Sequence, residues 1–359
     1  MMKNFLCLLL FAAFLSCHTG GGQPIVLEPA QDADPGHTLS SQGDILIIRY
    51  KGEGDFVQFN MFEGLTLQLE KNPFGIFEGQ LAIPGLNDGI FSYDITVQQS
   101  GASGSLVDIG YRPKEEPFFR WVGPNRNVDF AKAGELSGKI DKLDFKSRFL
   151  KSERNLTLYT PPGLSDETPI VYMTDGSAVA GYAPYVDALI SQGRIRPVAL
   201  VGIHSSQENR YEEYVHTGVP NDYFDSHENF FTQEVLPFAE GAIENWRGKR
   251  YIYGFSNGGA FCMYMGINYP EWFDQIIAFS TADYISGFFS PVKLEQKKYP
   301  KFYMGAGRYE KSIFNDNIKF VKKMKRKNIS VEFKEFVSGH DYYVWQVEFL
   351  AYLERVFGK

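Results

Sequence analysis

The chain is 359 residues long, 44% hydrophobic and 16% aromatic, which is ample for a large core and for two domains. Its formal net charge of −7 argues against nucleic acid as a partner, and no Cys/His grouping has metal-ligand spacing, so neither a metal nor another cofactor is expected. The one basic run, Lys322 to Lys327, falls late in an amphipathic pattern and reads as a solvated helix face.

Residues 1–16 combine Lys3 with an apolar run from Phe5 to Leu15, too short to span a bilayer but suited to the core of a secretory signal. The ending Leu15-Ser16-Cys17 resembles a bacterial lipobox, which would make Cys17 a lipidated first residue anchoring an exported protein to a membrane. The alternative is an ordinary cleaved signal with an incidental cysteine. Cys262 is then left without a disulfide partner and is expected to be buried packing.

Residues 17–43, rich in Gly, Pro, Asp and Ser, read as a flexible tether. Over residues 44–112 the pattern has period two: Val57, Phe59 and Met61 alternate with Gln58 and Asn60, and Phe91, Tyr93, Ile95 and Val97 with Ser92, Asp94 and Thr96. A small antiparallel β-sandwich is expected there. Residues 113–134 form a Pro-rich, aromatic connection. From 135 to 359 short apolar runs alternate with helical patterns, among them Ile170 to Met173, Tyr185 to Gln192, Val198 to Ile203, Glu228 to Trp246, Lys311 to Arg326 and Asp341 to Phe357. This density of alternation predicts an α/β fold, a mostly parallel sheet with helices on both faces, whose active groups sit at the carboxyl ends of the strands.

Within that region, Gly254-Phe255-Ser256-Asn257-Gly258 follows a short apolar strand and opens an apolar helix. Strand, sharp turn and helix are the context of the nucleophile elbow of an α/β-hydrolase, with glycines where side chains would collide. The turn lifts Ser256 clear of the sheet, and the N–H of Asn257 can face an oxyanion. A serine hydrolase of this topology has its partners in the order nucleophile, acid, histidine. His340 is the one histidine after Ser256, in a loop between the last strand and the last helix. Glu310, in the loop after Phe302 to Met304, is the preferred acid; Asp316, further into the next helix, and a Ser-His pair without a close acid are the alternatives. Gly176 and Ser177, in the loop after an earlier strand, are candidates for the second oxyanion donor.

These residues carry a family resemblance. Leu158 to Pro162, the strand ending in Asp175-Gly176, Asn209-Arg210 followed by Glu212-Glu213, Phe231 to Pro237, Gly254 to Gly259, Gly307 to Glu310, and Gly339-His340-Asp341 with Trp345 resemble the esterase D-like esterases. That group includes enterochelin (siderophore trilactone) esterases, feruloyl and acetylxylan esterases, and the mycolyltransferases of the same fold. The sandwich resembles the immunoglobulin-like N-terminal domain of the enterochelin-esterase branch. The resemblance implies Ser256 as nucleophile, His340 as base, Glu310 as acid, and Arg210, Asp175 and Trp345 near the substrate. It implies an ester of a small molecule or polysaccharide as substrate.

One departure is the acid-rich segment Glu208 to Glu228, which suits a ferric catecholate poorly. Its Tyr211, Tyr214, Tyr223, Phe224 and Phe230 are candidates for stacking on aromatic groups or sugars. Three classes follow: an exported carboxylic ester hydrolase, an acyltransferase of the same fold, and a non-catalytic glycan-binding lipoprotein.

Overall fold

The computed structural model describes residues 36–61, 65–101, 105–113, 118–126, 128–282, 293–296 and 298–358. The expected export signal and Cys17 lie outside them. Among the described residues no helix is long and apolar enough to cross a membrane.

Among the described residues the N-terminal part carries nine strands: β1 (Gly36–Gln42), β2 (Ile45–Lys51), β3 (Phe56–Met61), β4 (Thr66–Gln68), β5 (Glu70–Lys71), β6 (Phe77–Ala82), β7 (Ile90–Ser100), β8 (Leu106–Asp108) and β9 (Phe119–Val122). They form two antiparallel sheets, ordered β1-β2-β6-β5 and β4-β3-β7-β8, with β9 also on β7. Alternation in β3 and β7 sends Val57, Phe59, Ile95 and Val97 inward, where they meet Ile48 of the other sheet in one buried cluster.

Two boundaries differ from the sequence reading. β1 lies inside the stretch expected to be tether, and β9 inside the expected connection. β1 has almost no apolar alternation to betray it; it is anchored by His37, whose ring nitrogens lie 2.7 Å and 2.8 Å from the hydroxyls of Tyr111 and Tyr93.

The larger part contains one mixed sheet of eight strands in the order β10-β11-β13-β12-β14-β15-β16-β17. These are β10 (Lys139–Phe145), β11 (Arg154–Thr160), β12 (Ile170–Thr174), β13 (Ala199–Ile203), β14 (Arg250–Phe255), β15 (Gln275–Phe279), β16 (Lys301–Gly307) and β17 (Val331–Phe336). β10 and β11 are antiparallel at one edge, and every pairing from β13 to β17 is parallel. β12 and β13 are buried at every residue, as strands covered on both faces must be.

Helices α1 (Ala178–Ser191) and α7 (Tyr342–Phe357) pack on one face. The other is covered by α3 (Asp222–Phe230), which continues through a π turn into α4 (Leu236–Gly241), and by α5 (Asn257–Asn268) and α6 (Lys311–Arg326), while the short α2 (Arg210–Tyr214) lies beside α3 and α5. α1 begins earlier than the apolar pattern suggested and keeps Pro184 inside it. The expected helix from Glu228 to Trp246 starts earlier, at Asp222, and its regular part ends at Gly241. Tyr214, Phe224 and Phe230, candidates for stacking on substrate, are fully buried in this core instead.

The N-terminal sheets dock where two long strands of the mixed sheet end. The carbonyl of Pro84 accepts from Tyr309 Oη at 2.7 Å and Arg308 Nη1 at 3.2 Å, beyond β16. Ile90 N–H donates to Val337 O at 3.1 Å and Ser92 N–H to Asp341 Oδ2 at 2.7 Å, beyond β17. The same short segment therefore braces both loops that frame residues 310 and 340.

Candidate active site

Ser256 caps α5 with φ 55° and ψ −129°, a left-handed backbone for a residue other than glycine. Two glycines make the turn possible. A Cβ on Gly254 would lie 2.4 Å from Thr174 Oγ1, and one on Gly258 would lie 2.2 Å from the same atom. Ser256 N–H donates to Phe279 O at 2.9 Å, and Ala282 N–H to Ser256 O at 3.1 Å, so β15 holds the strained turn from the side.

His340 stands between the serine and a buried acid. Its Nε2 lies 3.0 Å from Ser256 Oγ, and its Nδ1 lies 2.5 Å from Glu310 Oε2. The loop after β16 and the loop after β17 meet closely: a Cβ on Gly307 would lie 2.5 Å from Ser338 O, so no side chain fits between them. Glu310 is buried, and its Oε1 accepts from Gly307 N–H at 2.6 Å and from Ser280 Oγ at 2.5 Å. Asp316 is elsewhere, paired with Lys319 at 2.9 Å on the exposed side of α6.

The oxyanion candidates divide. Asn257 N–H is at the first position of α5, where no preceding turn supplies an acceptor. Gly176 N–H is already committed, donating to Ile203 O at 2.9 Å, which removes it as a donor to substrate and corrects the expectation. Ser177, exposed at the N-cap of α1, is the candidate left from that loop.

Arg210 and Asp175 were expected at the substrate, but each is engaged by the other. Arg210 Nε and Nη2 meet the Asp175 carboxylate at 2.6 Å and 2.7 Å, and Nη1 donates to Asn257 Oδ1 at 2.9 Å. A bidentate pair of this kind is a strong geometric tie. It joins the loop before α1 to the turn at Ser256 and holds Asp175 at φ 52°. Tyr214 Oη accepts from Asp175 N–H at 2.8 Å from below.

Trp345, unlike Arg210 and Asp175, is not a wall of the cleft: it is 4% exposed. Its indole stacks on Phe255 with centroids 4.6 Å apart, meets the His340 ring edge to face at 4.6 Å, and donates from Nε1 to Ser280 Oγ at 2.8 Å. Ser280 was not singled out from the sequence. Its position directly after β15, at the carboxyl end of a parallel strand, is the signal that could have marked it.

Among the described residues, the other histidines make packing or hydrogen-bond contacts within the fold. His204 Nε2 lies 2.8 Å from Thr157 Oγ1, and the His216 ring packs against Phe224 and Tyr264. His227 is buried, and burial, then the Arg154 charge, pushes it down to about 3. Glu213 lies 3.7 Å from its Nδ1, but that carboxylate is taken by Arg154, so desolvation prevails and the ring is neutral. Cys262 is fully buried, and burial pushes its thiol up, as packing requires.

A cleft of about 380 Å³ opens beside this arrangement, lined by Asp175, Ser177, Ala178, Arg210, Phe255 and Tyr342. Its aromatic walls are Phe255 and Tyr342, and its charged residues are the mutually paired Asp175 and Arg210.

No curated protein matches the chain. Among solved structures, it is similar to the enterobactin esterase of Shigella flexneri crystallised in the presence of enterobactin, with TM-score 0.67 and 14% identity over 90% of this chain and 96% of that one. The ferric enterobactin esterase of Salmonella typhimurium gives TM-score 0.67 and 13% identity over 89% and 95%. A siderophore hydrolase of Aspergillus nidulans gives TM-score 0.50 and 17% identity over 64% and 96%. At such identities these likenesses establish a shared α/β-hydrolase-like fold. Residues 147–356, more than half of the chain, match the Esterase family model, described as "Putative esterase". The chain belongs to that esterase family and is an ester hydrolase.

Proposed function

We infer that this enzyme is an exported serine esterase working through Ser256, His340 and Glu310. The observation that carries the reading is the position of one imidazole, with Nε2 3.0 Å from Ser256 Oγ and Nδ1 2.5 Å from a buried carboxylate. In this reading His340 Nε2 takes the Ser256 proton as Oγ attacks the ester carbonyl. The oxyanion is held by the N–H groups of Asn257 and Ser177. His340 returns the proton to the leaving alcohol, then activates the water that hydrolyses the acyl-enzyme, while Glu310 keeps the imidazole in its working tautomer.

The cleft supports an ester whose group beside Ser256 carries no net charge. The guanidinium facing it is neutralised by Asp175 and tied to Asn257, so no free cation is offered to a ferric catecholate there. Phe255 and Tyr342 offer aromatic surface instead. A feruloyl or acetyl ester of a polysaccharide therefore ranks above a siderophore trilactone. The N-terminal sheets are read as an immunoglobulin-like domain, and residues 1–17 as a signal ending at a lipidated Cys17.

The test is hydrolysis of p-nitrophenyl acetate, methyl ferulate, acetylated xylan and a catecholate trilactone by wild type and Ser256→Ala. Turnover by wild type alone, with methyl ferulate or acetylated xylan preferred, is the expected result. Equal behaviour of the two proteins on every substrate removes the mechanism, and preference for the trilactone reverses the ranking. An acceptor alcohol that diverts the acyl group from water would move the assignment to acyl transfer.

A further inference from the structure

A catalytic carboxylate has two oxygens, and the mechanism above uses one. The Oε1 oxygen of Glu310 accepts from Ser280 Oγ at 2.5 Å and Gly307 N–H at 2.6 Å, while Oε2 faces His340. The direction of the Ser280 bond follows from chemistry. The indole N–H of Trp345 can only donate, and it does so to Ser280 Oγ at 2.8 Å, which leaves the hydroxyl proton for the carboxylate. A continuous chain thus runs from Trp345 through Ser280, Glu310 and His340 to Ser256.

Ser280 itself is fully buried and cannot touch a substrate. Its backbone stands at φ 46°, a conformation that glycine adopts more freely. The terminal carboxylate torsion of a glutamate is broad, so a single contact to an imidazole does not fix its plane. A charge-assisted bond on the opposite oxygen does. Trp345 adds a second tie, since the same indole that orients Ser280 packs on the His340 ring and on Phe255, the residue before the nucleophile.

We propose that Ser280 is a positioning residue of the acid: with Trp345 as its donor and beside the Gly307 N–H, it holds Glu310 in the rotamer that presents Oε2 to His340. The inference rests on the Ser256, His340 and Glu310 reading above. Hydrogen bonds to charged groups of this kind set an expected loss of about 10- to 100-fold in kcat, with KM within about twofold.

The experiment compares wild type with Ser280→Gly, Ser280→Ala and the double variant Ser280→Ala/Trp345→Phe. Three quantities are read: the rate at which an aryl phosphonate labels Ser256, kcat and KM on p-nitrophenyl acetate, and the downfield proton resonance of the His340 Nδ1–H bond, assigned by its loss in His340→Ala. Ser280→Ala removes the hydroxyl alone, and Ser280→Gly removes it together with Cβ but relieves the φ 46° backbone, so a defect shared by both is not backbone strain. The expected result is labelling slowed by about 10- to 100-fold in both single variants, and equally in the double variant, with the resonance shifted or broadened in all.

Wild-type labelling by Ser280→Gly overturns the proposal. So does recovery in the double variant, because the defect would then come from the orphaned indole N–H rather than from Glu310. If wild type neither labels nor turns over any ester, it is the triad reading that fails. The resonance still decides the positioning role in that case, since it needs no turnover, and an unchanged resonance in Ser280→Gly rejects it.

Discussion

In the proposed site, the half that carries the serine and the half that carries the glutamate and histidine are built by different means. Ser256 and its oxyanion candidate Asn257 are neighbours in the chain, and their turn is made by contiguous residues whose glycines meet Thr174 at close range. Arg210 and Tyr214 of the same domain brace that half from within. Glu310 and His340 come from separate loops and are held by Gly307, Ser280 and Trp345, with Pro84, Ile90 and Ser92 of the N-terminal sheets bracing the loop flanks. A nucleophile can be specified by a local turn, whereas an aligned acid and base needs the surrounding fold to over-determine loop ends.

The largest expected effects fall on the proposed reacting groups themselves. Ser256→Ala should lower kcat by about 10⁵- to 10⁶-fold, and Glu310→Gln by about 10⁴-fold through the wrong imidazole tautomer. Steady-state kinetics on any turned-over ester measures both, and a Glu310→Gln enzyme near wild type would leave a Ser-His pair without an acid.

The next effect belongs to the nucleophile half. Arg210→Met unties Asp175 from Asn257 and is expected to cost about 10- to 100-fold in kcat/KM on neutral esters. If Arg210 instead recognised an anionic substrate, the loss would fall on charged esters and spare neutral ones, which a paired substrate series distinguishes.

A smaller effect lies in the core behind that half, where His227 packs against Tyr214 and Phe261. Its folded value, about 3, is below the ordinary 6.5, so between these limits the unfolded chain binds a proton that the native state refuses. Its contribution to stability is therefore whole above pH 6.5. Below that, it falls by about 1.4 kcal/mol per pH unit until the folded value is reached. His204 and His37, lowered mainly by burial, add to the same trend. Denaturant titrations of His227→Phe should show a shallower loss of stability on acidification, and an unchanged slope contradicts a neutral buried ring.

The mildest probe addresses the acid–histidine half. Tyr309→Phe removes one hydrogen bond to Pro84 O, at an expected cost of about 1 kcal/mol in stability and a few-fold in kcat. Hydrogen exchange in residues 308–310 and 337–341 should rise together, since the same N-terminal segment braces both; a rise confined to one loop separates them.

Much of this was legible in the sequence. Strand–helix alternation marked the mixed sheet, and α6 and β17 run over the expected residues, because long amphipathic helices and short apolar strands carry their period in the chain. The elbow was readable from glycine spacing. What escaped was structure held by few, unpatterned contacts: β1, anchored by one histidine, and β9, whose partner lies in another segment. Arg210 and Asp175 do line the cleft, but their pairing with each other, and the burial of Trp345 away from it, are not readable in the sequence, because a side chain's partner is a tertiary fact. Gly176 was a reasonable donor until Ile203 occupied its N–H.

The sequence by itself determined which chemical groups this enzyme carries and their order along the chain, since periodicity, turn residues and motif spacing are local properties. Only the tertiary structure decided which of these groups face one another: that Glu310 rather than Asp316 meets His340, that Arg210 is spent on Asp175 and Asn257, and that Ser280 meets Glu310. The reason is geometric. Hydrogen bonds form or fail over a few tenths of an ångström, and that distance is set by how loops from distant parts of the chain close on one another.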